Sequence, residues 1–213
     1  SEMCIRDRFG ARISLAVGCL AAVINLIVGT IYGGIAGYVG GKVDMIMMRV
    51  VDIIYSVPSM LYIVLIMLIF GASVVSIMLG ISITCWIDMA RIVRQQVKSL
   101  KEQEFTMAAF VLGAGSSRIL LKHLLINTMG QIIVTVTLMV PQAIFTEAWL
   151  SFLGVGISAP MASWGTLAQD ARELIMTYPM QTVYPMIAIC ITIFSFNFVG
   201  EGLEKALDPK RKR

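Results

Sequence analysis

The chain has 213 residues, of which 58% are hydrophobic and 14% are charged, and its formal net charge is +4. Soluble domains carry about 25% charged residues, so this composition excludes an ordinary soluble domain and indicates a membrane protein. The positive charge requires no nucleic-acid partner, because basic loops beside anionic lipid headgroups account for it.

Uncharged segments recur along the chain and predict membrane-spanning helices. They occupy residues 13–41, 53–87, 124–146 and 174–200, and roughly 20 apolar residues cross the hydrocarbon core as a helix. The second segment is too long for one crossing, and Gly71-Ala72-Ser73 divides it into two. Backbone groups must be paired in lipid, so the predicted fold class is an all-α polytopic transmembrane helix bundle. Its five predicted spans are residues 13–38, 50–70, 73–90, 129–150 and 182–200.

The first eight residues, SEMCIRDR, read as the translation of a sequencing-library adaptor rather than as natural protein. We predict that residues 1–8 are such a scar and that residues 9–213 form one transmembrane domain. On this interpretation the natural N-terminus is missing from the sequence.

Lysine and arginine accumulate on the cytoplasmic loops of membrane proteins, so their positions orient the helices. Most of the 17 Lys and Arg residues fall within 42–49, 91–122 and 205–213. We therefore predict that these segments are cytoplasmic and that residues 151–181 face outward. Five spans place the visible N-terminus outside, and a further helix upstream would return the native N-terminus to the cytoplasm.

The first uncharged segment, residues 13–41, carries four glycines at four-residue spacing: Gly29, Gly33, Gly37 and Gly41. This spacing places them on one helix face, where the absence of side chains lets a neighbouring helix approach closely. Pro58 and Pro141 lie within later spans. They predict kinks there, because proline removes a backbone donor.

Three acidic residues lie inside or at the ends of predicted spans. Asp52 follows Arg49 by three residues, so we predict an ion pair along that helix. Asp88 precedes Arg91 by three residues, and the same prediction applies to it. Glu147 has no oppositely charged neighbour in sequence, and two interpretations stay open: it lines a transport pathway, or it bonds to backbone.

Other membrane functions find less support in the residues. A secondary transporter typically uses ionisable residues deep in the bundle or broken helices in internal repeats, and neither is clear in this sequence. The single histidine, His123, and the lack of an HExxH motif disfavour a membrane-embedded enzyme. The four cysteines are scattered without a CxxC pair, so we predict no disulfide, metal site, cofactor or catalytic residue. Of these two alternatives, an ion-coupled secondary transporter ranks before a membrane enzyme.

A more polar insertion, residues 91–128, separates the third and fourth predicted spans. Its first part, RIVRQQVKSLKEQEF, predicts that the third helix continues out of the membrane. The apolar run FTMAAFVL then predicts a short helix that ends at Gly113. Such a helix either lies on the lipid surface or docks in a protein groove. The adjacent Ala108 and Ala109, with a sharp turn at Gly113 and Gly115, favour the groove.

This segment resembles the cytoplasmic loop of permease subunits in binding-protein-dependent ABC importers. The signature of that loop is Glu-Ala-Ala, three residues, Gly, nine residues and then Ile-x-Leu-Pro. Met107, Ala108 and Ala109 occupy the triplet, and Gly113 is the glycine. The Ile, Leu and Pro of the signature correspond to three residues of this chain: His123, Leu125 and Ile126.

Four further segments are similar to the second-type permease subunit of the dipeptide, oligopeptide and nickel group of these importers. They are GARISLAVG, GYVGGKVDMIMMRVVDIIYSVPS, TEAWLSFLGVGISAPMASWGTL and NFVGEGLEKALDP, and the resemblance covers residues 9–213. It implies a multi-pass protein of the bacterial inner membrane with six helices, of which the first is missing here.

The resemblance also implies partners and cargo. The subunit would pair with a homologous permease subunit, sit on two cytoplasmic ABC ATPases and receive dipeptides or oligopeptides from an extracytoplasmic binding protein. Nickel or another small solute is the alternative cargo. Because the chain has no phosphate-binding GxxxxGK[ST] motif, the subunit itself is predicted not to be an enzyme.

The resemblance assigns ATPase coupling to a helix over about residues 104–112 and the residues after it. The residues implied in coupling are Glu104, Phe105, Met107, Ala108, Ala109, Gly113 and Arg118. A peptide pathway should be lined with small and polar groups, and the candidates are Asn25, Thr135, Gln142 and Glu147. The outward segment 154–179 would contact the binding protein or cap the pathway, or else it is only a packed outer loop.

Overall fold

The structure is a computed structural model that describes residues 2–157 and 161–207, and all regular structure in those ranges is helical. A π-helical stretch, Ile119–Leu124, joins α6 to α7. The predicted all-α class is therefore confirmed. The helices are α1 Glu2–Val39, α2 Gly41–Tyr55, α3 Ser59–Phe70, α4 Val74–Lys101, α5 Glu104–Val111, α6 Ser116–Arg118, α7 Leu125–Phe152, α8 Trp164–Arg172 and α9 Met180–Leu207.

Within the described residues, four helical segments are long and apolar enough to cross a membrane: Ile5–Val39, Val74–Lys101, Ser116–Phe152 and Met180–Leu207. They contain the predicted spans 13–38, 129–150 and 182–200, and they contain the predicted span 73–90 except for its first residue. The predicted break before the third span is also present, because α3 ends at Phe70 and α4 begins at Val74. Helix α4 then continues to Lys101, as the sequence after residue 90 predicted.

The remaining predicted span, residues 50–70, is broken at Pro58, where the sequence predicted a kink, and that prediction is confirmed. Helix α2 ends at Tyr55, α3 begins at Ser59, and the chain bends by 74° at this break. The cause is Pro58, which has φ −54° and ψ 130°, lacks an N–H and disfavours helical geometry at Val57 before it. Counted as one broken span, this pair brings the number of candidate spans to five. Pro141 lies inside α7, which continues past it, so a kink there stays a prediction.

The chain forms two compact units, each with its own packing. Within the described residues, the first unit comprises 2–23, Pro58–Ile83, 137–157 and 161–200, and the second comprises Ile24–Val57, Thr84–Val136 and 201–207. Helix α5 belongs to the second unit, and α8 belongs to the first.

In the second unit, α1 and α4 lie in backbone contact through three glycines of α1. A Cβ added to Gly29 would stand 2.6 Å from Met89 Cβ, and one added to Gly37 would stand 2.7 Å from the Arg94 carbonyl oxygen. At Gly33 an added Cβ would overlap the carbonyl group of Ala90. Small residues at such positions let helices approach to this distance in membranes.

Gly41, predicted as the fourth glycine of this stripe, does not share the contact. Gly40, with φ 70°, interrupts the helix after Val39, so Gly41 begins α2 with φ 58° and an added Cβ would find nothing within 4 Å. The stripe therefore has three members rather than four.

In the first unit, the carboxyl group of Glu147 is fully buried. It accepts hydrogen bonds from the hydroxyl of Ser14 on α1 at 3.0 Å and from the hydroxyl of Ser151 one turn along α7 at 2.8 Å. The backbone N–H of Trp164 donates in turn to the Ser14 oxygen at 3.3 Å. These bonds supply the partners that a buried polar group requires, and they join α1, α7 and the start of α8.

Helix α8 has a capping box at its N-terminus. The Ser163 side chain accepts from the Thr166 N–H, and the Thr166 hydroxyl oxygen accepts from the Ser163 N–H. Gly165 lies directly against α7, where an added Cβ would stand 2.5 Å from the Ala148 carbonyl oxygen. The outward segment predicted over 154–179 thus contains a capped and packed helix, while its residues 158–160 lie outside the described ranges.

Replacing Gly33 by Ala should lower the thermal unfolding midpoint of the solubilised protein, because the added Cβ meets the backbone of α4. Overpacking of this kind costs about 1–3 kcal/mol. Gly34→Ala is the matched control on the same helix, since its Cβ would stand 3.6 Å from the Leu125 side chain, an ordinary contact. A loss for Gly33→Ala no larger than for Gly34→Ala would contradict the close approach of the two helices.

Ser163→Ala should loosen α8, because the variant lacks the oxygen that accepts from the Thr166 N–H. Loss of an N-cap costs about 1 kcal/mol, and faster proteolysis between α7 and α9 in the solubilised protein would report it. Ser195→Ala serves as control, since that hydroxyl donates within α9 to the Ile191 carbonyl. Cleavage of Ser163→Ala at the wild-type rate would show that the cap does not hold α8 in place.

Candidate functional site

Helix α5 is short, and its first turn is fixed to the end of α4 by one residue. Thr106 is buried, and its hydroxyl donates to the Leu100 carbonyl oxygen in the last turn of α4 at 2.8 Å. Gln103 precedes the helix in an extended conformation, and its carbonyl accepts from the Thr106 N–H at 3.0 Å. Thr106 therefore sets the position of α5 relative to α4.

The C-terminal end of α5 is closed by backbone hydrogen bonds. The Gly113 N–H donates to the Phe110 carbonyl at 3.0 Å, and the Ala114 N–H donates to the Ala109 carbonyl at 3.1 Å. This pair of bonds is a Schellman motif, and it requires a left-handed residue at the position after the cap. Gly113 supplies that residue with φ 80°. The predicted end of the short helix is therefore observed at Gly113.

Most side chains of α5 are apolar, and most of them are exposed. Met107 is 57% exposed and Phe110 71%, and the values rise to 83% for Val111 and 86% for Leu112 after it. Thr106 is the buried residue of the helix. A helix that lies on lipid has one apolar and one polar face, whereas α5 has no polar stripe to turn toward water. This distribution favours a protein groove as the cover of α5.

The cavity beside α5 has a volume of about 840 Å³ and lies between α5, the π-helical stretch and the ends of α1 and α4. Buried Ile119 begins the π-helical stretch and forms part of this wall. Single π-helical turns occur often at functional sites. Further residues of the lining are Tyr38, Lys101, Met107, Phe110 and Leu120.

The structure places the seven predicted coupling residues in one part of the second unit. All of them lie in α5, in the turn after it or in α6. Six are exposed and Ala109 is half-buried, so the group forms an accessible surface. Its role in coupling stays a prediction. The seven are Glu104, Phe105, Met107, Ala108, Ala109, Gly113 and Arg118.

The four candidate pathway residues differ in their surroundings. Asn25 is buried, and its side-chain oxygen has no hydrogen-bond partner among the described residues. Thr135 is buried and donates to the Gln131 carbonyl in its own helix at 2.8 Å. Gln142 is exposed, and Glu147 accepts from the hydroxyls of Ser14 and Ser151, with Ser163 also beside its carboxyl group. Of the two interpretations of Glu147, neither included these hydroxyl partners.

A charge cluster around one buried carboxylate lies close to the last turns of α4, and the sequence did not reveal it. Asp44 of α2 is almost completely buried and accepts from both Nε and Nη2 of Arg94, the latter at 2.6 Å. Lys98 Nζ lies 3.4 Å from the same carboxylate. The partners are about 50 residues apart in sequence, so the one available signal was Arg94 and Lys98 at four-residue spacing on α4.

A second ion pair between the same helices corrects the predicted pairing of Asp52. Its carboxylate accepts from Arg91 Nη2 at 3.0 Å rather than pairing with Arg49. Arg91 also lies over the Tyr55 ring at 4.4 Å. Asp52 and Arg91 are both substantially exposed. Arg91, which the sequence predicted as the partner of Asp88, therefore forms an ion pair with Asp52.

Comparisons with known proteins agree with the predicted resemblance. The family model described as the binding-protein-dependent transport system inner membrane component matches residues 29–213. The oligopeptide transport system permease protein OppC of Bacillus subtilis is 50% identical over 212 residues, which cover 100% of this chain and 70% of that protein. The dipeptide transport system permease protein DppC of the same organism is 47% identical over 209 residues, covering 98% and 65%. The chain spans about two thirds of the length of these relatives.

Solved structures show the same fold at low sequence identity. A chain of the methionine ABC transporter MetNI, in an inward-facing conformation, superposes with a TM-score of 0.78 at 17% identity and covers 98% of this chain and 99% of that one. A chain of an amino acid ABC transporter crystallised with histidines gives a TM-score of 0.70 at 14% identity, with 92% of each chain covered.

The family model thus covers most of the sequence, and the Bacillus subtilis OppC is half identical along all of it. The multiple apolar helices agree with a multi-pass inner-membrane location. This chain belongs to the family of binding-protein-dependent transport system inner membrane components.

Proposed function

We propose that this chain is a permease subunit of an ABC importer and forms half of the translocation pathway for dipeptides or oligopeptides. The observation that carries the proposal is α5, an apolar helix that is closed at Gly113, fixed at Thr106 and otherwise uncovered. Relatives that are 47–50% identical are named as dipeptide and oligopeptide permeases, which supports peptides as cargo.

The partners follow from the same reasoning. A homologous permease subunit supplies the other half of the pathway, two cytoplasmic ABC ATPases supply the energy, and an extracytoplasmic binding protein delivers the cargo. The exposed apolar side chains of α5 suit a cleft on one ATPase, where they leave water. The chain itself is not an enzyme in this scheme, since it has no phosphate-binding motif.

Coupling in this scheme is mechanical. Closure of the ATPase pair on ATP displaces α5, and the change in α5 alters access to the pathway. The energy comes from the ATPases. A ligand shifts a protein between two conformations only if it binds them with different affinity. Met107 and Phe110 provide the contact area, Ala108 allows close approach, and Gly113 and Thr106 hold the helix in shape.

The pathway proposal concerns polar residues of the long helices. Asn25 and Gln142 provide amide groups, and Thr135 provides a hydroxyl whose oxygen can still accept a bond. Groups of this kind suit a hydrated route that selects weakly among peptides. Of these residues, we propose exposed Gln142 as a lining residue of the route, because Asn25 and Thr135 are buried within the chain and the Glu147 carboxylate is bonded to Ser14 and Ser151.

Ala108→Glu should uncouple ATP hydrolysis from uptake, because Ala108 is exposed on α5 and a carboxylate there would be buried without a partner in the ATPase cleft. A penalty above about 1.4 kcal/mol corresponds to more than tenfold less uptake. Uptake and ATP hydrolysis would be measured in vesicles that contain the complete transporter. Ala206→Glu, at an exposed alanine of α9, is the control and should transport normally. Unchanged uptake in Ala108→Glu would refute the coupling role.

The cargo can be tested with the complete transporter and its binding protein. Radiolabelled dipeptide or oligopeptide should accumulate in an ATP-dependent manner, whereas radiolabelled Ni²⁺ should not. A dependence on an ion gradient in place of ATP would instead support the ion-coupled alternative. Accumulation of Ni²⁺ without peptide uptake would transfer the assignment to the nickel importers of the same family.

A further inference from the structure

We propose that Asp44 and Arg94 are positioning residues that make α2 move with α4 when α5 is displaced. The proposal rests on the coupling role of α5 proposed above and extends it to a specific pair of side chains. The pair would determine how much uptake each ATP hydrolysed produces.

The first step runs from α5 to α4. Thr106 is the buried residue of α5, and its hydroxyl bonds to the Leu100 carbonyl in the last turn of α4. Helix α4 is continuous from Val74 to Lys101. A displacement of α5 therefore acts directly on the end of α4 that carries Arg94 and Lys98.

The second step runs from α4 to α2 through the buried carboxylate. Arg94 donates to both oxygens of Asp44, and Lys98 contributes a third cationic contact at 3.4 Å. Two parallel bonds between a guanidinium and a carboxylate fix the orientation of both groups. The Asp44 side chain is 7% exposed, whereas Arg94 is 30% and Lys98 48% exposed, so water reaches the two cations but little of the carboxylate.

Helix α2 depends on this contact because it is otherwise weakly buried. Asp44 and Val51 are its two buried residues, whereas Met45, Ile46 and Ile53 are largely exposed. Its other connections to α1 and α4 include the bond from the Tyr32 hydroxyl to the Met47 carbonyl, the exposed Asp52–Arg91 pair and the contact of Arg91 with the Tyr55 ring.

The junction before α2 permits such a movement. Gly40 and Gly41 both have positive φ, and an added Cβ at either position would find nothing within 4 Å. Positive φ at two successive residues ends α1 and lets α2 leave in a different direction. Because neither glycine is packed against another element, α2 can change its angle at this junction and follow α4.

The test measures uptake per ATP hydrolysed in vesicles that contain the complete transporter, normalised to the amount of assembled complex. Radiolabelled oligopeptide is the probe. Asp44→Asn removes the charge with little change in shape and should lower the ratio about tenfold, within the usual range of coupling between sites. Asp52→Asn is the matched control, because Asp52 joins the same two helices through an exposed pair, and its ratio should equal that of the wild type.

Arg94→Lys provides a second variant in case Asp44→Asn does not assemble. It keeps the positive charge beside Asp44 but cannot make two parallel bonds, so the complex should assemble and the ratio should fall about fivefold. The double variant Asp44→Asn/Arg94→Gln should be no worse than Asp44→Asn alone, because both changes break the same contact.

Several results would overturn the proposal. A wild-type ratio in Asp44→Asn or Arg94→Lys, with less assembled complex as the sole effect, would show that the pair only stabilises the fold. An equal fall in Asp52→Asn would show that the buried pair has no special role. If the wild-type complex performs no ATP-driven uptake, both the proposed function and this proposal are refuted. If the wild-type complex does perform it and the variants have the wild-type ratio of uptake to ATP hydrolysed, only this proposal is refuted.

Discussion

Helix α4 lies so close to α1 that no side chain fits between them at Gly29, Gly33 and Gly37. This backbone contact fixes where the last turns of α4 emerge. The Lys101 amine then reaches the Tyr38 carbonyl at the end of α1, and Arg94 and Lys98 face Asp44. The position of α5 follows in turn, since Thr106 bonds to the last turn of α4. The candidate coupling surface is therefore placed by a contact that lies well inside the second unit.

The short helix combines a fixed backbone with an uncovered apolar surface. Exposed apolar residues of this size cost free energy in water, so their retention on one small element indicates a partner that covers them. Thr106 and Gly113 hold the helix in place from its two ends without using those side chains. The surface is thus available to a partner without rearrangement of the helix.

Local sequence patterns predicted most of the helices and the end of α5, because apolar length and a glycine after a short apolar run act locally. Pro58 predicted the bend within residues 50–70, because the loss of a backbone donor also acts locally. Gly41 was misassigned because Gly40, with no side chain to restrain it, takes a positive φ and ends α1 early. Asp44 and its partner Arg94 were missed altogether, since a contact between residues so distant in sequence leaves no periodic signal. For Glu147, the sequence could show the charge but could not supply Ser14, which approaches from another helix.

The turn at Gly113 is closed entirely by main-chain groups, which are the same in every amino acid except proline. Its shape is consequently independent of what Met107, Phe110 or Val111 happen to be. Replacing those side chains would change the surface that α5 presents to a partner and leave the backbone of the turn unchanged.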